Sequence, residues 1–182
     1  MAGPSISIIG AGNVAWHLAP ALDNSGYRVN EVYSRSRGGA EDLVSKLYEA
    51  EINESLDFSA STSGIFLLCI PDDAIEEVTN EITIPQGAIL VHTSGSRSLD
   101  VLGDVPGVNI GVFYPLQTFT KGKKMDLQEV PIFIETEQKE VEHTLMNMAG
   151  AISKKVFNVT SEKRLALHVA AVFASNFTNH ML

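Results

Sequence analysis

Hydrophobic residues form two kinds of pattern along this chain. Short apolar runs such as Ile6–Ile9 and 65–70 are typical of strands buried on both faces, whereas 13–25 and 40–50 repeat apolar residues at helical spacing. Further strands are predicted at 29–33, 88–91, 108–113, 132–134 (a possible edge strand) and 155–159, and further helices at 71–81, 137–149 and 161–182. Because strands and helices alternate, the sequence predicts an α/β fold with a doubly wound, mostly parallel sheet of about seven strands.

The last predicted helix, 161–182, contains no glycine, proline or capping pattern that would end it. Its apolar positions need a surface to pack against: Leu165, Val169, Val172, Phe173 and Phe177. We therefore expect residues 1–159 to form the α/β domain and residues 160–182 to begin a second domain that is truncated here. The alternative is a complete chain whose last helix docks on the chain itself or on a subunit mate.

Composition and net charge limit the classes of protein to which the chain can belong. With 182 residues, 45% hydrophobic and 19% charged, the chain has enough apolar material for a core. Its net charge of -9 disfavours nucleic acids and anionic membranes as partners, and the last helix is too polar to span a bilayer. A single cysteine and the lack of an apolar signal segment at the start predict a cytoplasmic protein.

A glycine-rich turn joins the first predicted strand to the first predicted helix. The run from Gly10 to Ala15 reads Gly-Ala-Gly-Asn-Val-Ala and fits G-x-G-x-x-G/A in the required strand-to-helix context. Gly10 permits the tight turn and Gly12 leaves room for a pyrophosphate, which the N–H groups at Asn13 and Val14 would face. The alternative is a turn of small residues without a ligand. The motif predicts a dinucleotide site.

The end of the second predicted strand bears on which dinucleotide is bound. NAD sites hold the ribose 2′-hydroxyl with an acid at this position, but Glu31 lies inside the strand, short of its end. The residues that follow the strand include Ser34, Arg35 and Arg37, which suit a 2′-phosphate. The sequence therefore favours NADP, and the alternative is that these residues form a solvated loop.

Later strands should end at the same edge of the sheet, where ligands bind in such folds. Ile70 and Pro71 follow one strand, and Thr93 and Ser94 follow the next. We expect these four residues to border the cofactor. Cys69 has no basic neighbour in sequence and is interpreted as a buried structural thiol.

Candidate catalytic residues lie in a loop and on the last helix. Gln117, after the strand at 108–113, could orient a substrate carboxylate or carbonyl, or it could bond the backbone of its own loop. On the last helix His168, Ser175 and Asn179 fall within roughly 40° of one another, with Asn176 on the flank. This polar stripe either faces a cleft or is a hydrated outer face. In a cleft, His168 could protonate a carbonyl reduced by hydride.

Five runs of residues together resemble a known family of NADP oxidoreductases. They are Gly10 to Ala15, Ile70 to Asp73, His92 to Ser96, Tyr114 to Phe119, and His168 to Phe177. The family is related to pyrroline-5-carboxylate reductases and β-hydroxyacid dehydrogenases, and some members look like ketopantoate reductases. The resemblance implies a Rossmann domain joined to an all-helical domain that usually dimerises. The histidine that is common before the proline of the fourth run is Tyr114 here.

These observations lead to one preferred function and one alternative. The preferred function is an NADPH-dependent oxidoreductase that transfers hydride to a small oxo or imino acid, with His168, Asn176 and Gln117 as the candidate catalytic residues. The expected partners are a small-molecule substrate and a second copy of the chain, bound through the last helix. The alternative is a regulatory module that senses NADP(H) without turnover.

Overall fold

The computed structural model of the chain describes residues 3–103 and 105–180, with side chains up to residue 174. These residues contain eight strands: β1 (Ile6–Ile9), β2 (Val29–Tyr33), β3 (Glu51–Ile52), β4 (Ile65–Leu68), β5 (Ile89–His92), β6 (Asn109–Pro115), β7 (Ile132–Glu135) and β8 (Val156–Asn158). They also contain five α-helices: α1 (Asn13–Asn24), α2 (Arg37–Val44), α3 (Ile75–Glu81), α4 (Lys139–Gly150) and α5 (Ser161–His180). No helix in this part of the chain is long and apolar enough to cross a membrane.

The eight strands form one sheet in the order β3-β2-β1-β4-β5-β6-β7-β8. Strands β1 to β6 pair in parallel, β7 runs antiparallel to β6, and β8 runs parallel to β7. This arrangement confirms the predicted doubly wound, mostly parallel fold. The chain leaves β1 toward β2 on one side and later returns to β4 on the other. The carboxyl ends of β1 and β4 therefore flank the crevice where such sheets bind ligands.

Helices cover both faces of the sheet. On one face, buried residues of α1, α2 and α4 form one apolar cluster with side chains of the sheet, which includes Leu18, Leu43, Leu145, Ile8 and Leu67. Helix α4 lies over β6, β7 and β8. The other face holds α3 and packs a second set of buried residues against alternate positions of the same strands. Strands such as β1 and β4 are therefore buried on both faces, which explains why β4 appears in sequence as a continuous apolar run and β1 as an apolar run that only Ser7 interrupts.

Several predicted boundaries were wrong. The strand β3 was missed because two residues are too few to show a period, and it pairs with β2 at Glu51 and Ile52. The helix predicted at 40–50 is α2 at Arg37–Val44, since Ser36 caps it by accepting a bond from Gly39 N. The strand at 132–134 is not an edge, because β8 pairs with its outer side. The division of the chain at residue 159 stays a prediction.

Candidate functional site

A cleft of about 320 Å³ opens at the carboxyl ends of β1, β2 and β4. The turn between β1 and α1 forms its floor, and the segments after β2 and β4 form its walls. Its lining includes Gly10, Gly12, Ser34, Arg35, Ser36, Ile70, Pro71 and Lys121. The structure thus brings together six of the residues that the sequence predicts for cofactor binding, from three separate segments.

The two glycines of the turn serve different purposes. Gly10 has φ +103°, and a Cβ there would lie 2.3 Å from the carbonyl oxygen of Cys69, so the fold itself requires glycine. Gly12 has φ -82°, and its Cβ would lie 3.8 Å from the same oxygen, which is ordinary contact. Protein packing therefore does not require glycine at position 12. The space that Gly12 leaves belongs to the cleft.

The first turn of α1 offers backbone donors to the cleft. Gly12 is the N-cap of α1, and no side chain caps it. Asn13 and Val14 begin the helix, and the Asn13 side chain accepts a bond from Lys121 N over 3.3 Å. Unsatisfied N–H groups at a helix start favour anions. Together with the space at Gly12, this arrangement fits the pyrophosphate of a dinucleotide.

The two arginines that follow β2, both predicted to bind the cofactor, lie in different environments. Arg35 lines the cleft, whereas the Arg37 guanidinium pairs with Glu41 over 3.0 Å and with Glu54 over 2.8 Å. The structure therefore does not bring Arg37 into the cleft. Glu31 lies inside β2, as predicted, and accepts a bond from Ser7 Oγ over 2.5 Å.

Thr93 and Ser94 follow β5 but do not line the cleft. The Thr93 hydroxyl donates to the carbonyl oxygen of Leu68 over 3.0 Å. The Ser94 hydroxyl oxygen accepts bonds from the backbone N–H groups of Ser96 and Arg97, over 3.1 and 3.0 Å. Both hydroxyls therefore stabilise the end of β5, and their predicted contact with a cofactor stays a prediction.

Two buried side chains near the cleft are held in their neutral forms. Burial raises the pKa of the Cys69 thiol to about 12, which confirms the prediction of a buried structural thiol. Burial, and then the charge of Arg164, lower the pKa of His92 to about 4. His92 Nδ1 accepts a bond from Ser94 N over 3.1 Å, and its Nε2 lies 3.2 Å from the Ser98 carbonyl oxygen. His92, the last residue of β5, is therefore a structural histidine that stabilises the loop after this strand.

A buried ion pair fixes the first turn of α5 against the sheet. Arg164 is 1% exposed; its Nε donates to Glu135 Oε2 and its Nη1 to the Ser94 carbonyl oxygen, both over 2.9 Å. Ser161 Oγ donates to the other carboxylate oxygen of Glu135. These contacts hold α5 across the ends of β5 and β7. No pattern in the sequence indicates these contacts, because Glu135 and Ser94 lie 29 and 70 residues from Arg164.

One helical turn later, His168 meets Tyr114 at the end of β6. The Tyr114 Oη and His168 Nδ1 atoms are 2.8 Å apart, and the two rings meet edge to face. A Cβ at Gly95 would lie 2.4 Å from His168 Nδ1, so this glycine permits the close approach. Burial raises the pKa of Tyr114 to about 12, which keeps its phenol protonated. The pair places an imidazole beside a neutral phenol, at the same edge of the sheet as the cleft.

The other two catalytic candidates do not join this pair in the structure. Gln117 is exposed, and its side-chain oxygen accepts a bond from Thr118 N over 2.9 Å. This is the backbone contact that the sequence analysis left open as an alternative. Asn176, like Ser175 and Asn179, has its side chain outside the described residues. The catalytic roles of Gln117 and Asn176 therefore stay predictions.

Helix α5 buries the polar side chains of Arg164 and His168 wholly or in part and leaves several apolar side chains exposed. Arg164 is buried and His168 is half-buried, whereas Leu165, Val169 and Phe173 are 45%, 44% and 64% exposed. This is the reverse of an ordinary surface helix. His168 therefore packs against the sheet through Tyr114, and the prediction that the polar stripe faces a cleft stays a prediction.

Two family models match separate parts of the chain. A Rossmann-like domain matches residues 2–113, which is more than half of the chain, and a domain of unknown function, DUF2520, matches residues 130–182. The chain has no match among curated proteins.

Solved structures show the same architecture. A proposed NADP oxidoreductase from Bacteroides fragilis is 40% identical with a TM-score of 0.89, over 98% of this chain and 69% of that one. A protein from Thermotoga maritima is 23% identical with a TM-score of 0.73, over 97% and 65%. An imine reductase from Myxococcus stipitatus, in complex with NADP+, is 17% identical with a TM-score of 0.76, over 97% and 63%. The chain thus spans about two thirds of the length of these proteins.

Proposed function

The chain belongs to the family of Rossmann-domain NADP oxidoreductases, and on this basis we propose that it is an NADPH-dependent reductase of small oxo or imino acids. The observation that carries the proposal is the Tyr114–His168 pair, which lies at the same edge of the sheet as the glycine cleft. When bound, the dinucleotide supplies a hydride. A carbonyl or imine that accepts a hydride also needs a proton.

Each part of the cleft has a role in this proposal. The N–H groups of the first turn of α1, at Asn13 and Val14, bind the pyrophosphate, and Gly12 provides the space for it. Ser34 and Arg35 bind the 2′-phosphate. Ile70 and Pro71 form the opposite wall of the cleft.

The Tyr114–His168 pair supplies the proton. Because the Tyr114 phenol keeps its proton, its O–H can donate to His168 Nδ1, and the imidazole then carries a proton on Nε2. Tyr114 would orient the ring and fix this tautomer. Transfer of the His168 Nε2 proton to the reacting oxygen or nitrogen would be coupled to transfer of the Tyr114 proton to Nδ1, so that the imidazole stays neutral, and the tyrosinate would then regain its proton from water. The Arg164–Glu135 pair holds the helix that carries His168.

A two-part experiment tests the function. NADPH is titrated into the protein, with fluorescence of Trp16 as the signal because it is the single tryptophan. Oxidation of NADPH is then followed with a panel of 2-oxo acids and cyclic imino acids. We expect saturable binding and turnover of at least one class. Binding without turnover across the panel would favour the NADP(H)-sensing module, and no binding would contradict both functions.

The contrast between the two arginines gives a first prediction. We expect tighter binding of NADPH than of NADH, and we expect Arg35→Ala to remove most of this preference. One charge-assisted contact contributes about 1 to 3 kcal/mol, which corresponds to roughly 5- to 150-fold in affinity. Arg37→Ala is the matched control and should leave the preference intact, because that guanidinium already pairs with Glu41 and Glu54. Equal affinities for both dinucleotides, unchanged in Arg35→Ala, would contradict the assignment of NADP.

The outward apolar face of α5 gives a second prediction. We propose that this face binds a second copy of the chain, because Leu165, Val169 and Phe173 together expose an apolar strip to water. Sedimentation should then show a dimer, and Phe173→Glu should shift it toward the monomer. Tyr48→Glu is the control, since Tyr48 is also exposed but lies outside α5. A wild-type protein that sediments as a monomer at all concentrations would contradict this prediction.

A further inference from the structure

The loop after β6 crosses the start of α1. The backbone N–H of Lys121 donates to Asn13 Oδ1 over 3.3 Å, and His17 Nε2 lies 3.0 Å from the Thr120 carbonyl oxygen. The ring of His17 also packs against Phe119, with centroids 5.5 Å apart, and Phe119 is buried. Three contacts therefore attach this loop to the first two turns of α1, including one residue of the glycine motif itself.

This attachment brings the side chain of Lys121 to the cleft. Lys121 lines the cleft together with Gly12 and Arg35, although it lies far from both in sequence. Its ammonium lies 5.0 Å from the centroid of the Trp16 ring. Among the described residues Lys121 forms no ion pair, and no aspartate or glutamate lines the cleft. In a chain with a net charge of -9, this wall is locally cationic.

We propose that Lys121 is a phosphate-binding residue of the dinucleotide site, supplied by the loop after β6. The inference rests on the proposed function, since it assumes a dinucleotide in the cleft. The bond from Lys121 N to Asn13 fixes the Lys121 backbone beside the helix start that faces the pyrophosphate. An ammonium on a flexible stem is a good ligand for phosphate oxygens. Its cation–π contact with the Trp16 ring is weak, so the ammonium can leave the ring at little cost.

The neighbouring lysines provide matched controls. Lys123 and Lys124 belong to the same loop, but they line a different groove, on the outer side of α1, with Trp16 and Lys46. They do not line the cleft. A general effect of lowering the positive charge of the loop would therefore appear in Lys123→Ala, whereas a direct contact with the dinucleotide would appear only in Lys121→Ala.

The experiment compares Lys121→Ala, Lys121→Arg and Lys123→Ala with the wild type. Dissociation constants for NADPH and NADH are measured by calorimetry, and the unfolding temperature of each variant serves as a check on folding. We expect Lys121→Ala to weaken NADPH binding by about 10-fold, the effect of one lost charge-assisted bond. Lys121→Arg should recover most of the affinity, and Lys123→Ala should bind as the wild type does.

The two dinucleotides distinguish which phosphate Lys121 contacts. An equal loss for NADPH and NADH identifies the pyrophosphate, whereas a loss for NADPH alone identifies the 2′-phosphate; either result supports the inference. Unchanged affinity for both dinucleotides in Lys121→Ala, with the wild type binding NADPH, would overturn this inference and leave the proposed function standing. A wild-type protein that binds neither dinucleotide would overturn both.

Discussion

Replacing Gly12 with valine should abolish dinucleotide binding and leave the fold intact. The backbone at Gly12 has φ -82°, which any residue adopts, and the nearest protein atom to its Cβ position is 3.8 Å away. The valine side chain would instead fill the space at the start of α1 where the pyrophosphate belongs. We expect NADPH affinity to fall by more than about 100-fold, measured by titration, with the unfolding temperature close to that of the wild type.

Gly10→Ala is the informative control for this variant. At Gly10 the backbone has φ +103°, and a Cβ would lie 2.3 Å from the Cys69 carbonyl oxygen, so the substitution should destabilise the protein itself. The two glycines of one motif should therefore separate into a residue required for folding and a residue required for binding. Wild-type affinity for NADPH in Gly12→Val would show that the cleft does not bind the dinucleotide through this turn.

The fold class could be predicted from the sequence because the patterns that identify strands and turns are local. Short apolar runs such as Ile6–Ile9 identify strands buried on both faces, and the glycine motif identifies the turn that follows. The antiparallel β7 was harder to interpret. Its neighbours are β6 and β8, and only the pairing of Ile132 with Val156 shows that it lies inside the sheet. Strand order depends on such pairings, and they leave little trace in local periodicity.

The site was predictable only where its residues lie at the ends of strands. Gly12 and Arg35 follow β1 and β2, so their positions in sequence determine that they meet at one edge. The Tyr114–His168 contact joins residues 54 positions apart, through a helix whose position depends on the buried Arg164. Lys121 reaches the cleft through loop contacts that no motif describes. These contacts depend on packing between distant parts of the chain, which cannot be deduced from one sequence alone.

Replacing His168 with alanine should have the largest effect on turnover. If His168 donates the proton, its loss should lower kcat by about 10²- to 10⁴-fold for whichever oxo or imino acid is reduced. The NADPH dissociation constant should not change, because His168 does not line the glycine cleft. His143→Ala is the matched control, since this histidine is exposed on α4 and pairs with Asn147.

Tyr114→Phe separates the position of the imidazole from its chemistry. The variant keeps the ring that packs against His168 and Phe133, but it loses the hydroxyl that meets His168 Nδ1. We expect a smaller loss in kcat than in His168→Ala, together with a change in the pH profile, because the imidazole is no longer held in one tautomer. Undiminished turnover in His168→Ala would show that the proton comes from another group and that the Tyr114–His168 pair only anchors α5.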